Sequence, residues 1–586
     1  MAGHLQRREE VSMALLSSAW PATPSKRGFR AERWVPRWVF LATLLLVATP
    51  LCLVLYQSLS DRPLYDGGGA LTVRNYVDLL TSRAFLSAAG NSFMLAIVST
   101  LVATVVGVFG AFCFTRLEMP GVRWLRGVMA LPVYLSQLVL AFGWYVLYGP
   151  SGYITLAVQR WLSDTPWNLY SILGMGVLAG VSQAPYVTVL CSSALSLSNG
   201  SLEDAARSTG AKPWRVMRTI TLPLMRPSIF YSALLAFVGG LELLSIPLIF
   251  GAPSNLEFFT TFLYREALGQ TTPDYGLLGA AAVCMLICVA VLVLIQQRVL
   301  GNTQRFVTLR GKAQRHRPLR VGKWRYGLAM LWWCYLTITI LLPIVGLLAR
   351  SAVQFLSPLV SPLAYLTTSN YAQIFTQPEY WHAITNSLFV AGIGAALATA
   401  FVALVVLCVQ RSSFRAGRWL EVLCLAPRAV PGIVVGIGFL WLTLWLPGMG
   451  VLYGTLWLLI IAFSMRNLPT AFAAMAPTFM QIGRELDQAS RTCGATWWQT
   501  CRNVVLPLGR HAMAGSYLLL FVSFLKEYAA AVFLVAPSSQ VIGPTMLRLW
   551  TNGDFGPVAA LSIVQLTLTL VLIAVARILS RKKVGK

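Results

Sequence analysis

Twelve mainly apolar runs divide this 586-residue chain, and a run of about 20 such residues crosses a bilayer core as helix. Only 11% of the residues are charged and 57% are hydrophobic, whereas a soluble protein carries about 25% charged residues. The chain is therefore read as an all-α polytopic membrane protein of about 12 transmembrane helices. Helices are expected near 37–57, 88–114, 127–148, 169–197, 228–252 and 277–297, and again near 327–349, 383–409, 419–446, 450–478, 511–536 and 556–579. A basic tail (1–36) precedes the first half (37–297), a basic linker (298–325) joins it to the second half (326–580), and a short tail (581–586) follows. The first apolar run lacks a small-residue cleavage site and is read as a retained helix.

The formal net charge is +26, which is best tested against the excess of Lys and Arg in cytoplasmic loops. With the N-terminus inside, seven of the 46 Lys and Arg fall in outside loops: Arg62, Arg74, Arg83, Arg160, Arg265, Arg350 and Arg548. Three more, Arg428, Arg466 and Lys526, fall at or within apolar segments, which leaves 36 inside. This places both termini in the cytoplasm and accounts for the basic charge through topology and anionic lipid. No place is left for nucleic acid.

The two halves repeat. LTVRNYVDLL at 71–80 resembles LTTSNYAQIF at 366–375, and Asn91-Ser92 resembles Asn386-Ser387, both at an offset of 295. Pro185 and Pro469 match at 284, so the second half lacks about 11 residues, which fits its short Pro447-Gly448-Met449-Gly450 turn. Two six-helix halves in one orientation imply parallel repeats.

The strongest match lies after the fourth helix of each half. Residues 203–227 read EDAARSTGAKPWRVMRTITLPLMRP, and residues 487–510 read DQASRTCGATWWQTCRNVVLPLGR. Ser201 and Asp204 have capping-box-like spacing, with Glu203 and Asp204 in the first helical turn. Gly210 suits the left-handed residue that ends a helix, and Pro213 suits the start of the next. The second copy repeats this with Glu485 and Asp487 early and Gly494 at the break. A short helix, a sharp turn and a second helix entering the membrane at Leu222-Pro223 or Leu506-Pro507 are expected. Two such islands offer equivalent docking points to a partner with two equivalent faces.

The pattern EAA-x3-G-x9-I-x-LP is the signature loop of permease subunits of binding-protein-dependent ABC importers. The first island resembles it through Asp204, Ala205, Ala206, Gly210, Ile220, Leu222 and Pro223. The second does so through Gln488, Ala489, Ser490, Gly494, Val504, Leu506 and Pro507, departing at the acidic position and the second Ala. The resemblance implies a type I importer permease fold and a coupling helix in each loop that docks on an ATPase subunit, less tightly in the second copy. The fused halves, Pro431-Gly432, LELLSIPLIFGAP (241–253) and LKEYAAAVFLVAP (525–537) resemble ferric-iron-type permeases most. Polyamine, thiamine and 2-aminoethylphosphonate permeases are close relatives.

No GxxxxGK[ST] phosphate-binding loop is present. ATP and Mg are thus expected on a separate ATPase, in two copies, and this chain is expected to bind no cofactor. The longest outside loops have roughly 30 residues, so substrate capture is expected from a periplasmic or lipid-anchored binding protein. The four His (His4, His316, His382 and His511) are isolated, and the ten Cys, mostly in apolar runs, read as packing residues. No metal site or enzyme activity is expected. The alternative of another class is a twelve-helix secondary transporter, which needs no duplicated loop.

Charges inside the membrane mark functional candidates because they are costly there. Glu242 lies midway along the expected fifth helix, and Lys526 and Glu527 lie in the equivalent place on the eleventh. These three form the candidate translocation path. For the acids, a central cavity and an internal ion pair are both open, with Lys526 able to partner either. Arg428 and Arg466 lie nearer helix ends, where snorkelling to an interface is the ordinary expectation.

Overall fold

The computed structural model describes residues 26–584 apart from 67–68, 163, 198–200, 302–320 and 359–360. The first 25 residues of the basic tail, most of the basic linker, and the side chains of Ser201 and Asp204 lie outside what is described. Helices dominate. Among the described residues, extended pairing is limited to two isolated bridges, Ser60 with Leu71 and Val353 with Leu366.

Ten helices are long and apolar enough to cross a membrane, and two bent pairs bring the number to twelve. The pairs replace the expected third and ninth helices. Val122–Tyr134 and Gln137–Gln159 meet at 108°, and Gly417–Ala429 and Gly432–Trp445 meet at 109°. At the first break Ser136 is extended and its hydroxyl accepts the Leu138 N–H, which starts a new helix. At the second break Pro431 is extended, and a residue before proline disfavours helix.

The fifth and eleventh helices also differ from expectation. They begin before the Leu-Pro pair, running Trp214–Leu241 and Trp497–Leu525. Proline lacks an N–H and its ring clashes with the carbonyl four residues earlier. A single π turn precedes each proline, Met217–Thr221 before Pro223 and Cys501–Val505 before Pro507. There Leu222 and Leu506 donate to the carbonyls five residues back, on Met217 and Cys501. The same device precedes Pro343, at Thr337–Leu341. Both helices end early, at Leu241 and Leu525.

The repeat appears as duplicated contacts. Asn75 donates to the Ser58 and Ser60 carbonyls (3.0 and 2.9 Å), and Asn370 donates to those of Ser351 and Val353 (3.0 and 3.3 Å). Asn91 donates to the Glu257 carbonyl while Ser92 accepts the Phe259 N–H. Asn386 and Ser387 do the same with Gln540 and Ile542.

The chain forms two compact units that do not follow the repeat. The smaller comprises Met1–Leu45, Ala398–Leu425 and Leu468–Tyr517. Its packing includes Phe40 edge-on to Phe414 and the Phe479 ring lying over Gly509. The larger comprises Leu46–Leu397, Ala426–Asn467 and Leu518–Lys586. In it Arg83–Arg116 packs along Ile172–Leu197, where Gly176 and Gly180 let Val98 and Val102 approach so closely that a Cβ on either glycine would meet a valine side chain within 2.7 Å. Small residues of this kind are what bring transmembrane helices together.

Candidate functional site

The two islands form the expected helix, turn and helix. The first helices are Ser201–Ser208 and Arg484–Thr492. Gly210 and Gly494 have φ of +83° and +82°, the left-handed conformation. Ala211 donates to the Ala206 carbonyl and Ala495 to the Ser490 carbonyl, the six-to-one bond of a glycine-ended helix. Lys212 precedes Pro213 in the first copy. In the second, Thr496 and Gln499 form a reciprocal capping box before Trp497.

The predicted loop residues differ in role. Glu203 is buried, whereas Ala205, Gln488, Ala489 and Glu485 are exposed. Ile220, Leu222, Pro223, Val504 and Leu506 are half-buried, and Pro507 is exposed. Ser490, at the place of the second Ala, joins Thr500 at 3.0 Å across the turn. Its departure from the pattern thus supplies a cross-link. Trp214 and Trp498, 284 residues apart, are 67% and 37% exposed beside the two glycines.

Sequence reasoning missed what holds these helices in place. Arg116, the last residue of its helix, pairs with Glu203 at 3.2 Å, with 2% and 4% of the two side chains exposed. It also donates to the Leu195 carbonyl at 3.1 Å, and Thr221 donates to Glu203 at 3.1 Å. In the second half Arg411 pairs with Asp487 at 2.9 Å and donates to the Phe479 carbonyl at 2.7 Å. Arg411 is Arg116 plus 295, while Phe479 and Asp487 are Leu195 and Glu203 plus 284. The signal was legible as a shared Cys-x-x-Arg, at Cys113 to Arg116 and Cys408 to Arg411.

The charges in the membrane form a second cluster. Arg466 Nη1 lies 3.0 Å from Glu527 Oε1, and its Nη2 lies 3.7 Å from Glu242 Oε2. Glu527 Oε1 also accepts the Ala530 N–H. Gly432 makes room for the guanidinium, since a Cβ there would lie 1.3 Å from Arg466 Nη1. A cavity of about 290 Å³ brings together Glu242, Glu527, Lys526, Arg466, Gln137 and Asn467.

Three expectations are corrected here. Glu242 and Lys526 are the first residues beyond the helices ending at Leu241 and Leu525, so none of the three candidate residues is mid-helix. Lys526 partners neither acid; its ammonium donates to the Val133 carbonyl at 2.8 Å. Arg466 does not snorkel, because two carboxylates offer a stronger partner than the interface. Arg428 is exposed; it donates to the Tyr231 hydroxyl and lies 5.5 Å from that ring. Among the described residues, no group of three or more His, Cys, Asp or Glu could hold a metal ion.

Residues 14–305 and 392–585 match the model of the family described as binding-protein-dependent transport system inner membrane component. The chain is 27% identical over 526 residues to the putative ferric transport system permease protein FbpB 1 of Haemophilus influenzae, covering 85% of this chain and 79% of that protein. It is 26% identical over 506 residues to the ferric transport system permease protein FbpB of Actinobacillus pleuropneumoniae, covering 84% and 71%. A solved bacterial ABC transporter that imports the acidic polysaccharide alginate aligns with a TM-score of 0.36 and 17% identity, covering 44% of this chain and 94% of that chain. Matched over most of its length, with its loops and membrane helices in the places described above, the chain belongs to the inner membrane components of binding-protein-dependent transport systems.

Proposed function

We propose that this chain is the fused permease of an ATP-driven importer that moves ferric iron, delivered by an external binding protein, across the bacterial inner membrane. The observation that carries the reading is the duplicated island. Two short helices with left-handed glycine turns follow the fourth helix of each half, as two ATPase subunits docking on one chain require. The exposed Trp214 and Trp498 add large apolar surface at matched positions, the kind of residue that anchors an interface. Ferric iron comes from the named activity of the two permeases above.

In this reading both termini and both islands face the cytoplasm, in line with the distribution of Lys and Arg. The ATPases bind ATP and Mg. Their closure acts on both islands and switches the permease between inward-open and outward-open states. Glu242, Glu527 and Lys526 line the path near its middle.

The test is reconstitution of the chain in proteoliposomes with its ATPase and with binding protein loaded with radio-iron. Iron uptake should require ATP, the chain alone should hydrolyse none, and native mass should give two ATPase subunits per chain. Uptake driven by an ion gradient without an ATPase would leave the secondary-transporter reading. ATP-driven uptake of a polyamine, thiamine or 2-aminoethylphosphonate in place of iron would move the cargo to one of those classes.

A further inference from the structure

We infer that Arg116 and Arg411 are positioning residues that lock each island helix to the ends of two membrane helices, so that ATPase motion reaches the membrane through them. The inference rests on the importer reading and assigns roles to residues outside the signature pattern.

The construction is the same in both halves. The arginine ends the second helix of its half: Arg116 closes Arg83–Arg116, and Arg411 closes Ala395–Arg411. One guanidinium nitrogen takes a carbonyl near the end of the fourth helix, Leu195 or Phe479. The guanidinium also takes the acid in the first turns of the island helix, Glu203 or Asp487. In the second half the acid and the carbonyl take the two arms of the arginine fork, Nη1 and Nη2, in fixed directions a lysine ammonium does not set, whereas in the first half Nη2 meets both partners.

The helix after the glycine is tied in as well. In the first half Thr221, in the π turn before Pro223, donates to Glu203. In the second the Trp497 indole donates to the Arg411 carbonyl at 2.9 Å, and Ser490 meets Thr500. The contacts on this second helix have diverged while the arginine, carbonyl and acid have not. Three helix ends therefore meet at one charged point in each half, with the helix after the glycine tied in beside it. An exposed loop needs no such point for solubility, and a buried ion pair adds little net stability over apolar packing. What it does supply is directional rigidity, which a lever between ATPase and membrane needs.

The experiment uses the full complex in proteoliposomes, with Arg116→Gln/Glu203→Gln, Arg411→Gln/Asp487→Gln, and the two combined. Removing both charges of a pair leaves no uncompensated buried ion, so the chains should insert and bind the ATPase. The reading is iron moved per ATP hydrolysed. Each double variant should retain ATP hydrolysis yet fall at least about fivefold in iron per ATP, the lower range of a coupling between sites. The swap Arg116→Glu/Glu203→Arg should recover part of the loss. Wild-type iron per ATP in the combined variant overturns the inference. So does a fall in uptake that tracks abundance and ATPase binding while iron per ATP stays constant, since that is a folding role alone. If the wild-type chain itself shows no ATP-dependent uptake, it is the importer reading that fails.

Discussion

Replacing Arg466 by Met should destabilise the protein, and the geometry sets the size. Arg466 is the shared partner of Glu527 at 3.0 Å and Glu242 at 3.7 Å. Removing one partner of a buried pair costs about 3–5 kcal/mol, because the remaining charge stays buried. The side chains here are 25%, 11% and 18% exposed for Arg466, Glu527 and Glu242, so cavity water screens part of this. A loss of about 2–3 kcal/mol remains. Glu527→Gln should cost more than Glu242→Gln, since Glu527 lies nearer Arg466. The triple variant Arg466→Met/Glu242→Gln/Glu527→Gln, with no charge left unpaired, should recover most of the stability. Thermal unfolding of the purified chain in nanodiscs ranks the four variants, and membrane abundance checks them in cells. An Arg466→Met protein melting with the wild type, and no recovery in the triple, would show the acids solvated independently and refute the shared-partner account.

Two further outcomes follow from the glycines. Gly210→Val or Gly494→Val forces a φ near +80° on a residue that disfavours it by about 1–2 kcal/mol. No other group lies within 4 Å of the added Cβ, so the protein should insert normally and lose ATP-driven uptake. Wild-type uptake by both would free these turns from any part in coupling. Gly432→Ala should push the Arg466 guanidinium off its acids and reproduce the melting loss of Arg466→Met; a melting temperature equal to wild type would show that the helix start at Gly432 shifts to make room.

What was legible in the sequence was local or repeated. Gly210 and Gly494 are readable because a left-handed turn demands a residue without Cβ. The Asn75 and Asn370 segments are readable because both copies keep the amide that ties a helix to the preceding chain. The helix breaks at Glu242 and Lys526 were not readable, because what replaces the lost helical bonds is distant. Gln565 donates to the Leu525 carbonyl at 2.7 Å across 40 residues, and Thr260 donates to that of Leu243 at 2.8 Å. An apolar run continuing through Leu241 or Leu525 carries no trace of either partner. The arginines of the island nodes were hidden differently. Each ends an apolar run, where a basic residue is ordinary; the shared Cys-x-x-Arg marks the position, but the role comes from an acid 87 or 76 residues later.

The two halves also differ in a way that separates their tasks. Every duplicated polar contact found here holds a helix end or an island: Asn75 and Asn370, Asn91 and Asn386, Arg116 and Arg411. The charges at the cavity are not duplicated. Under the 284-residue offset Glu242 faces Lys526 in the alignment, and Arg466 and Asn467 face Ser182 and Gln183. In the proposed importer a pair of matched ATPase faces requires matched islands, so divergence there would spoil docking on one side. In that importer a cargo crossing between unlike halves meets no such requirement, and Arg466 and Lys526 together balance Glu242 and Glu527 around the cavity, which a symmetric pair of acids facing each other could not do. In the proposed importer the asymmetry at the cavity is thus the expected consequence of asking one duplicated scaffold to be symmetric toward its ATPase subunits and charge-balanced along its path.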